Sequence, residues 1–360
     1  SRAGCRIDIG GIIICYTVGM SKKDDKKLIV DMISESEFTV QGHGVHTAFV
    51  EMTNALKDRD DIDIAVNKAR LDADIVHAQT TGLYSMKKMR QSGGKKVVSA
   101  HVVPASFIGS IKGAKLLEPL ARAYLRWFYN KADLVLAVSD YTKNELEKIG
   151  VKKPISILYN TIDTAKYANS PAKKKTARQK LGISNDAFVV VGSGQVQPRK
   201  RVDVFFDMAE KMPDVEFVWV GGVPFGVIAA ENGAMQRMMN NPPKNLKFTG
   251  VIPLDEVADY YRAADVFVLP SEQETFGLVV VEAAAAGLPV VLRDISDYDT
   301  TFRDGAVMAS SDGDFVNQVD KLRRNKKFYS QQCRLAEKIA ERFDSSAGAE
   351  RLVEFYRSLI

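Results

Sequence analysis

Two glutamates of this chain, Glu274 and Glu282, are spaced so that both carboxylates can face one cleft. They are eight residues apart, a little over two helical turns. Phe276-Gly277-Leu278 lies between them and is predicted to begin the helix that carries Glu282. A glycine at a helix start leaves backbone N–H groups free, and the helix dipole there favours phosphate. Carboxylates that accept hydrogen bonds from hydroxyls, beside amides that bind phosphate, predict a sugar-nucleotide site.

A second group of candidate residues follows the strand predicted over 187–194. The glycines of Gly192-Ser-Gly194-Gln195 allow the backbone to approach a ligand, and the cations Arg199 and Lys200 can meet two phosphates. The alternative interpretation is a basic helix start that binds no ligand. Together with the glutamates, these residues indicate a site for an anionic ligand that carries hydroxyls.

The elements that must position these residues form one repeating pattern. Buried-type strands alternate with helical segments, which implies parallel sheets wound on both faces. In the first half, a helix is predicted over His46–Leu56 and another begins at Ser139. The strands are predicted over residues 27–33, 74–78, 96–101, 133–139, 187–194, 216–222, 246–250, 266–270 and 289–292.

This pattern predicts an α/β protein of two Rossmann-like domains facing a cleft, and 360 residues suit two such domains. We place the first domain at 27–168 and the second at 169–345, with the polar, proline-bearing segment 169–176 as the linker. Residues 1–26 form an N-terminal extension. Within it, residues 1–19 are interpreted as non-native or upstream sequence, with a native extra strand or a targeting segment as alternatives.

The composition is that of a soluble protein, with 46% apolar and 26% charged residues. The net charge of +5 is unevenly placed, because the lysines cluster in pairs and triplets. Such a surface suits anionic lipid headgroups or nucleic acid, and solvated lysines are the alternative. Three scattered cysteines and four histidines without ligand spacing predict no metal centre, and a reducing cytoplasm fits.

The stretch Pro270-Ser-Glu-Gln-Glu-Thr-Phe-Gly-Leu278 resembles the signature of retaining glycosyltransferases of family four, which have the B-type fold. The flanking 265–269 and 287–291 strengthen the likeness. The resemblance implies that Glu274 meets the donor sugar, Glu282 meets the nucleotide ribose, and the helix start at Phe276, Gly277 and Leu278 takes the diphosphate. It also implies that the last helix, about residues 346–359, crosses back onto the first domain.

Other site residues follow from the same resemblance. Lys200 matches the family's lysine, whereas Gln195 stands where arginine is expected, so Arg199 is the candidate to supply that charge. The segment around Val251 is expected to receive the base. In the first domain, a loop with Gly42 and Gly44 is expected to bring amides to the donor phosphate.

The resemblance places a sugar-contacting histidine at His101, which ends a predicted strand and points at the cleft. A packed core histidine is the alternative, and that is the leading interpretation for His77. With Glu274, His101 is our candidate for the reacting centre. The family reaction implies a front-face replacement in which the leaving diphosphate accepts the proton, and neither a metal nor another cofactor is needed.

Three further stretches resemble the glycolipid synthases of Gram-positive bacteria, namely residues 195–200, 216–226 and 241–250. They imply transfer of glucose or galactose from a UDP-sugar to diacylglycerol or glucosyl-diacylglycerol, by a cytoplasmic protein bound peripherally to the inner face of the cell membrane. Basic and aromatic residues over 108–131 suit an anionic interface, with Lys112 and Lys115 as the docking cations and a core helix as the alternative. No nucleic acid is expected.

Other functions stay open on the sequence. A glycosyltransferase with a soluble or polysaccharide acceptor would share every donor-site residue. A sugar-nucleotide epimerase shares such folds but lacks the Glu-Thr-Phe-Gly stretch. A non-catalytic sugar-nucleotide-binding protein of envelope assembly is the alternative outside enzymes, and product analysis separates these readings.

Overall fold

The structure of the protein is a computed structural model that describes residues 27–38, 44–104, 114–223 and 232–360. The predicted extension 1–26, Gly42 and Lys112 lie outside these ranges, as does the side chain of Lys115. Within the described ranges, no helix combines the length and apolarity that crossing a bilayer requires. In the same ranges, no cluster of His, Cys, Asp or Glu side chains could hold a metal ion.

The first half forms a parallel sheet of six strands in the order β2-β1-β3-β4-β5-β6. Its strands are β1 (Leu28–Ile33), β2 (Ile62–Val66), β3 (Ile75–Ala78), β4 (Lys95–Ala100), β5 (Leu134–Ala137) and β6 (Ile155–Ile157). The helices are α1 (Gly44–Lys57), α2 (Leu83–Gln91), α3 (Ala114–Tyr129) and α4 (Asp140–Lys148). Successive strand residues point to opposite faces. Met32 and Ile33, for example, therefore lie in separate apolar clusters on the two faces.

The second half repeats the plan in the order β12-β11-β10-β7-β8-β9, again all parallel. Its strands are β7 (Val189–Ser193), β8 (Glu216–Val220), β9 (Leu246–Phe248), β10 (Val266–Leu269), β11 (Val290–Arg293) and β12 (Val307–Ala309). The helices are α5 (Pro171–Leu181), α6 (Val202–Lys211), α7 (Asn232–Asn240), α8 (Leu254–Ala263), α9 (Leu278–Ala285), α10 (Asp314–Arg324) and α11 (Lys326–Arg342). One apolar core around Trp219, Phe205 and Phe267 holds this half together.

Three strands, β2, β6 and β12, were not predicted from the sequence. Each lies at the edge of its sheet and has three to five residues. An edge strand pairs on one side only and is partly exposed, so it lacks the continuous apolar run of a central strand. In β2, for instance, four of the five residues are only half-buried.

The prediction of a linker over 169–176 is wrong, because this segment begins helix α5. The Ser170 hydroxyl accepts a hydrogen bond from the Lys173 amide at 3.2 Å, and Pro171 occupies the first helical turn. A serine followed by proline is a helix-start signal as well as a loop signal. The helix packs on the second half through Arg178, which is buried and forms an ion pair with Asp265 at 2.8 Å.

The last helix, α12 (Ser345–Arg357), packs against α1 and the first sheet. Leu352 and Tyr356 share an apolar cluster with β1 and β3. The chain therefore passes between the halves twice. The two passing segments pair with each other: the Ile162 amide donates to the Phe343 carbonyl at 3.1 Å, and the Ser345 amide donates to the Ile162 carbonyl at 2.8 Å.

Candidate active site

A cavity of about 570 Å³ lies between the two halves, lined by residues of both. In parallel sheets of this kind, ligands bind beyond the carboxyl ends of the strands. Every predicted catalytic or donor-site residue that the structure describes lines this cavity, namely Gly44, His101, Gln195, Arg199, Lys200, Val251, Glu274, Phe276, Gly277, Leu278 and Glu282. Gly44 is the first residue of α1 rather than part of a loop.

Lys200 and Glu274 form a buried ion pair at the centre of the cavity wall. Lys200 ends a short 3₁₀ turn after β7, and Glu274 follows β10, its neighbour in the sheet. Lys200 Nζ bonds to Glu274 Oε1, and both side chains are less than a tenth exposed. Arg199 Nη1 lies 3.6 Å from the other carboxylate oxygen. Burial alone would raise the pKa of Glu274, but Lys200 and Arg199 outweigh it and hold that pKa below its ordinary value.

The loop that carries Glu274 is fixed from both sides. The Glu274 amide donates to Asp297 Oδ2 at 2.8 Å, and burial raises the pKa of this aspartate to about 6. From the first half, the Ser139 hydroxyl donates to the Thr275 carbonyl at 2.5 Å while accepting from the Thr142 amide. Ser139 was predicted only as the cap of α4. Its contact spans 136 residues, and no local pattern signals it.

The start of α9 presents backbone amides to the cavity. Gly277 adopts a left-handed φ of 98°, and the first intrahelical bond runs from the Val280 amide to the Gly277 carbonyl. The amides of Leu278 and Val279 therefore precede the hydrogen-bonded helix. The Phe276 ring packs in the core with Phe302 and Phe343, at ring-centroid distances of 5.5 and 5.2 Å. Only the backbone of Phe276 is available to a ligand.

Glu282 has a different environment from Glu274. It lies on α9, is buried, and accepts a hydrogen bond from the Tyr261 hydroxyl at 2.8 Å. The salt bridges among the described residues do not include it. Burial raises the pKa of Glu282 to about 7, with a further contribution from the nearby Glu51 carboxylate. The same cavity thus holds one carboxylate with cationic partners and one whose partners are tyrosines.

The histidines separate into a cavity residue and core residues. His101 follows β4, lines the cavity, and has Nε2 2.9 Å from Gln79 Oε1. His77 is fully buried between the Tyr356 hydroxyl at 2.6 Å and the Ser99 hydroxyl at 2.8 Å, and burial lowers its pKa to about 3. His77 is therefore a structural residue. His46 is also packed, with Nδ1 3.2 Å from the Ser36 hydroxyl.

Three residues with polar side chains at the cavity were missed by the sequence argument: Thr47, Asn160 and Tyr167. Thr47 lies on α1 one turn after Gly44, so a cleft-facing helix start could have identified it. Asn160 and Tyr167 lie between β6 and α5, where no motif draws attention to them. The Asn160 side-chain oxygen is buried without a partner in the part of the chain that the structure describes.

Two family models match the chain. Residues 173–342 match the model described as glycosyl transferases group 1, and residues 38–166 match the model of glycosyltransferase family 4. The chain is 32% identical over 280 residues to the alpha-galactosylglucosyldiacylglycerol synthase of Streptococcus pneumoniae, which covers 76% of this chain and 75% of the relative. It is 28% identical over 269 residues to the processive diacylglycerol alpha-glucosyltransferase of Acholeplasma laidlawii, with coverage of 74% and 79%.

Solved structures of the same architecture confirm the predicted fold of two Rossmann-like domains. Sucrose-phosphate synthase from Thermosynechococcus elongatus superposes with a TM-score of 0.77 at 16% identity, over 92% of this chain and 99% of that one. Anabaena HepE in complex with UDP and glucose superposes with a TM-score of 0.75 at 19% identity, over 92% and 100%.

We expect removal of one member of the buried ion pair to destabilise the second half. Glu274→Gln leaves the Lys200 charge buried without a counter-charge, so the free energy of unfolding should fall by about 3–5 kcal/mol. The double variant Lys200→Met with Glu274→Gln should recover part of that loss. The chain has one tryptophan in each half, so urea unfolding of a Trp127→Phe background follows Trp219 in the second sheet alone.

A matched control in the same half is Arg324→Ala on α10, which breaks an ion pair with Asp320 whose side chains are 77% and 34% exposed. Its effect should stay below about 1 kcal/mol. A Glu274→Gln effect no larger than this control would contradict the assignment of a stabilising buried pair.

Proposed function

This chain belongs to the group 1 glycosyltransferases, and we propose that it transfers glucose or galactose from a UDP-sugar to a lipid acceptor at a membrane surface. The acceptor class we propose is diacylglycerol or glucosyl-diacylglycerol. The observation that carries the proposal is the convergence of Lys200, Glu274, the α9 amides and Glu282 on one cavity. The activities for which the Streptococcus and Acholeplasma relatives are named support the lipid acceptor.

Each part of the donor has a complementary part of the cavity. A UDP-sugar carries two phosphates, and Arg199, Lys200 and the α9 amides offer positive charge and N–H donors to them. Glu274 lies beside Lys200, so a hexose joined to the second phosphate would reach its carboxylate. Glu282 would accept the ribose hydroxyls. The HepE complex with UDP and glucose supports the choice of donor.

The reaction we propose retains the configuration of the hexose. The acceptor hydroxyl attacks from the side on which UDP leaves, the bond from the anomeric carbon to the phosphate oxygen breaks, and the hydroxyl proton passes to the diphosphate. The protein contributes positioning and fixed positive charge for the leaving group. We propose that Arg199, Lys200 and the start of α9 supply this charge without a metal ion.

His101 is proposed to contact the hexose near the acceptor. It lines the cavity from the first half, and Gln79 fixes its ring by accepting a hydrogen bond from Nε2. A group at this place interacts most strongly with charge that develops on the sugar during transfer. In this role, His101 would affect the rate of turnover rather than the affinity for the nucleotide.

Product analysis tests the proposal directly. The protein is incubated with radiolabelled UDP-glucose or UDP-galactose and with vesicles of diacylglycerol, vesicles of glucosyl-diacylglycerol, or water alone, and the lipids are extracted. We expect label in the lipid phase for one donor and one acceptor, and digestion by an α-specific glycosidase. Transfer of label to an added water-soluble glycan, with none to lipid, would favour the soluble or polysaccharide acceptor. UDP binding with no release of UDP under any condition would favour the non-catalytic alternative.

We expect His101→Ala to reduce kcat by about 100-fold or more while UDP affinity stays close to wild type, because the lost contact forms mainly in the transition state. Turnover is measured with the productive donor and acceptor, and UDP affinity by calorimetry. Normal turnover in this variant would show that His101 is only structural. A parallel loss of UDP affinity would instead place it in the nucleotide site.

Membrane docking is proposed through Lys112, through Lys115 in the first turn of α3, and through the rest of that helix. On α3, the Leu120 side chain is 70% exposed, and Trp127 is also exposed although it belongs to a mostly buried aromatic group. Each lysine near an anionic surface contributes about 1 kcal/mol. Salt screens that attraction over roughly 10 Å at 0.1 M.

We expect the wild-type protein to co-sediment with anionic phosphatidylglycerol vesicles at low salt and to be released as salt rises. Lys112→Glu with Lys115→Glu should abolish co-sedimentation and leave UDP affinity unchanged. The matched control is Lys173→Glu with Lys175→Glu, two exposed lysines of α5 in the second half. If the wild type does not bind these vesicles at any salt concentration, the membrane assignment is wrong.

A further inference from the structure

The Glu282 carboxylate is held by two tyrosine hydroxyls that no sequence motif connects with it. Tyr261 on α8 is fully buried and donates to Glu282 Oε2 at 2.8 Å. Tyr167, which precedes α5 and lines the cavity, brings its hydroxyl close to the same carboxylate and lowers the pKa of Glu282. The two phenol rings lie 6.0 Å apart, so they enclose Glu282 from adjacent sides.

We infer that Tyr261 and Tyr167 are positioning residues of the nucleotide site, which orient the Glu282 carboxylate and favour its ionised form, so that it can accept the hydroxyls of the nucleotide ribose. This inference rests on the proposed function, because it assumes that a UDP-sugar occupies the cavity. Tyr261 is fully buried and reaches the ligand only through Glu282. It therefore acts by setting the orientation and the protonation of that carboxylate.

The groups around Glu282 explain why it depends on hydroxyl donors. Besides the two tyrosine hydroxyls, the side chain that acts on the pKa of Glu282 is Glu51 on α1, a like charge that raises it. The nearby cation Lys166 is already paired with Glu51 at 2.8 Å, and the Asp163 amide also donates to Glu51. Because no cation among the described residues is paired with Glu282, the tyrosine hydroxyls are what stabilise its ionised form against burial.

Ribose recognition requires that ionised form. Two neighbouring hydroxyls are best accepted by a carboxylate with two acceptor oxygens, whereas a protonated glutamate presents a competing O–H donor. In the free protein the pKa of Glu282 is raised to about 7, so near neutral pH part of the population must lose a proton before the ligand binds. Affinity should therefore rise with pH up to that pKa and become constant above it.

The test measures UDP-glucose affinity by calorimetry between pH 5.5 and 9. Both phosphates of this donor lack an ionisation in that range. The uracil ring begins to lose its N3 proton only at the alkaline end, and this affects the wild type and every variant alike. For the wild type we expect affinity to rise up to about tenfold per pH unit below pH 7 and to level off above. Glu282→Gln should bind more weakly and with no such pH dependence.

Tyr261→Phe removes one hydroxyl and keeps the ring. Since that hydroxyl favours the ionised carboxylate, we expect the midpoint of the pH profile to move upward. At pH 7 the affinity should be about tenfold weaker, and at pH 9 it should approach the wild-type value. In turnover, the KM for the donor should rise at pH 7 while kcat stays near wild type. Tyr167→Phe should shift the midpoint of the pH profile in the same direction. This variant provides the test if the Tyr261 variant does not fold.

The control is Tyr329→Phe in the same half of the molecule. This half-buried tyrosine donates to the Asp265 carbonyl at 2.9 Å, so the substitution also removes one hydroxyl hydrogen bond of the second half. Its pH midpoint should match the wild type. If wild-type protein binds UDP-glucose but neither tyrosine variant moves the midpoint, this inference is wrong and the proposed function stands. If wild-type protein does not bind UDP-glucose at any pH, the proposed function itself fails.

Discussion

The buried pairing of Lys200 with Glu274 is the constraint on which the rest of the site depends. Two opposite charges taken out of water are tolerable only when they stay in contact and their other bonding groups are satisfied. The pair joins the ends of β7 and β10, which are adjacent in the sheet. Each loop therefore limits the conformations of the other, and Arg199, Asp297 and Ser139 add further contacts to the same place. The cavity wall is organised before any ligand arrives.

The two glutamates of the signature show how one cleft can hold two chemically different carboxylates. Glu274 lies beside cations, which keep it ionised despite burial. Glu282 lies beside phenols and near another carboxylate, so its ionisation is balanced near neutral pH. A carboxylate that is always charged suits a permanent partner for Lys200. The protonation of Glu282, in contrast, depends on the hydroxyls placed next to its carboxylate. The two glutamates lie equally far from the start of α9. This spacing gives no indication that their ionisation differs, because the side chains around them come from other elements.

Much of the fold and of the candidate site could be predicted from the sequence because local patterns of residues determine these parts. The central strands are visible in the sequence as apolar runs. The glycine-bearing start of α9 and the carboxylates on either side of it are contiguous in the chain. The predictions failed where the signal was weak or ambiguous. Edge strands such as β2 have half-exposed residues, and Ser170-Pro171 begins a helix where a linker was expected.

Contacts between distant parts of the chain were beyond the sequence argument altogether. Ser139 meets Thr275 across 136 residues, and the partners of Glu282 come from α8 and from the segment before α5. Such contacts depend on how the two sheets are placed, and no single stretch encodes them. Both chain passages between the halves also run side by side, joined by the backbone bonds of Ile162 with Phe343 and Ser345. Since α12 packs on the first half, two chain segments connect the halves, and a protease cut in either segment would leave the halves attached through the other.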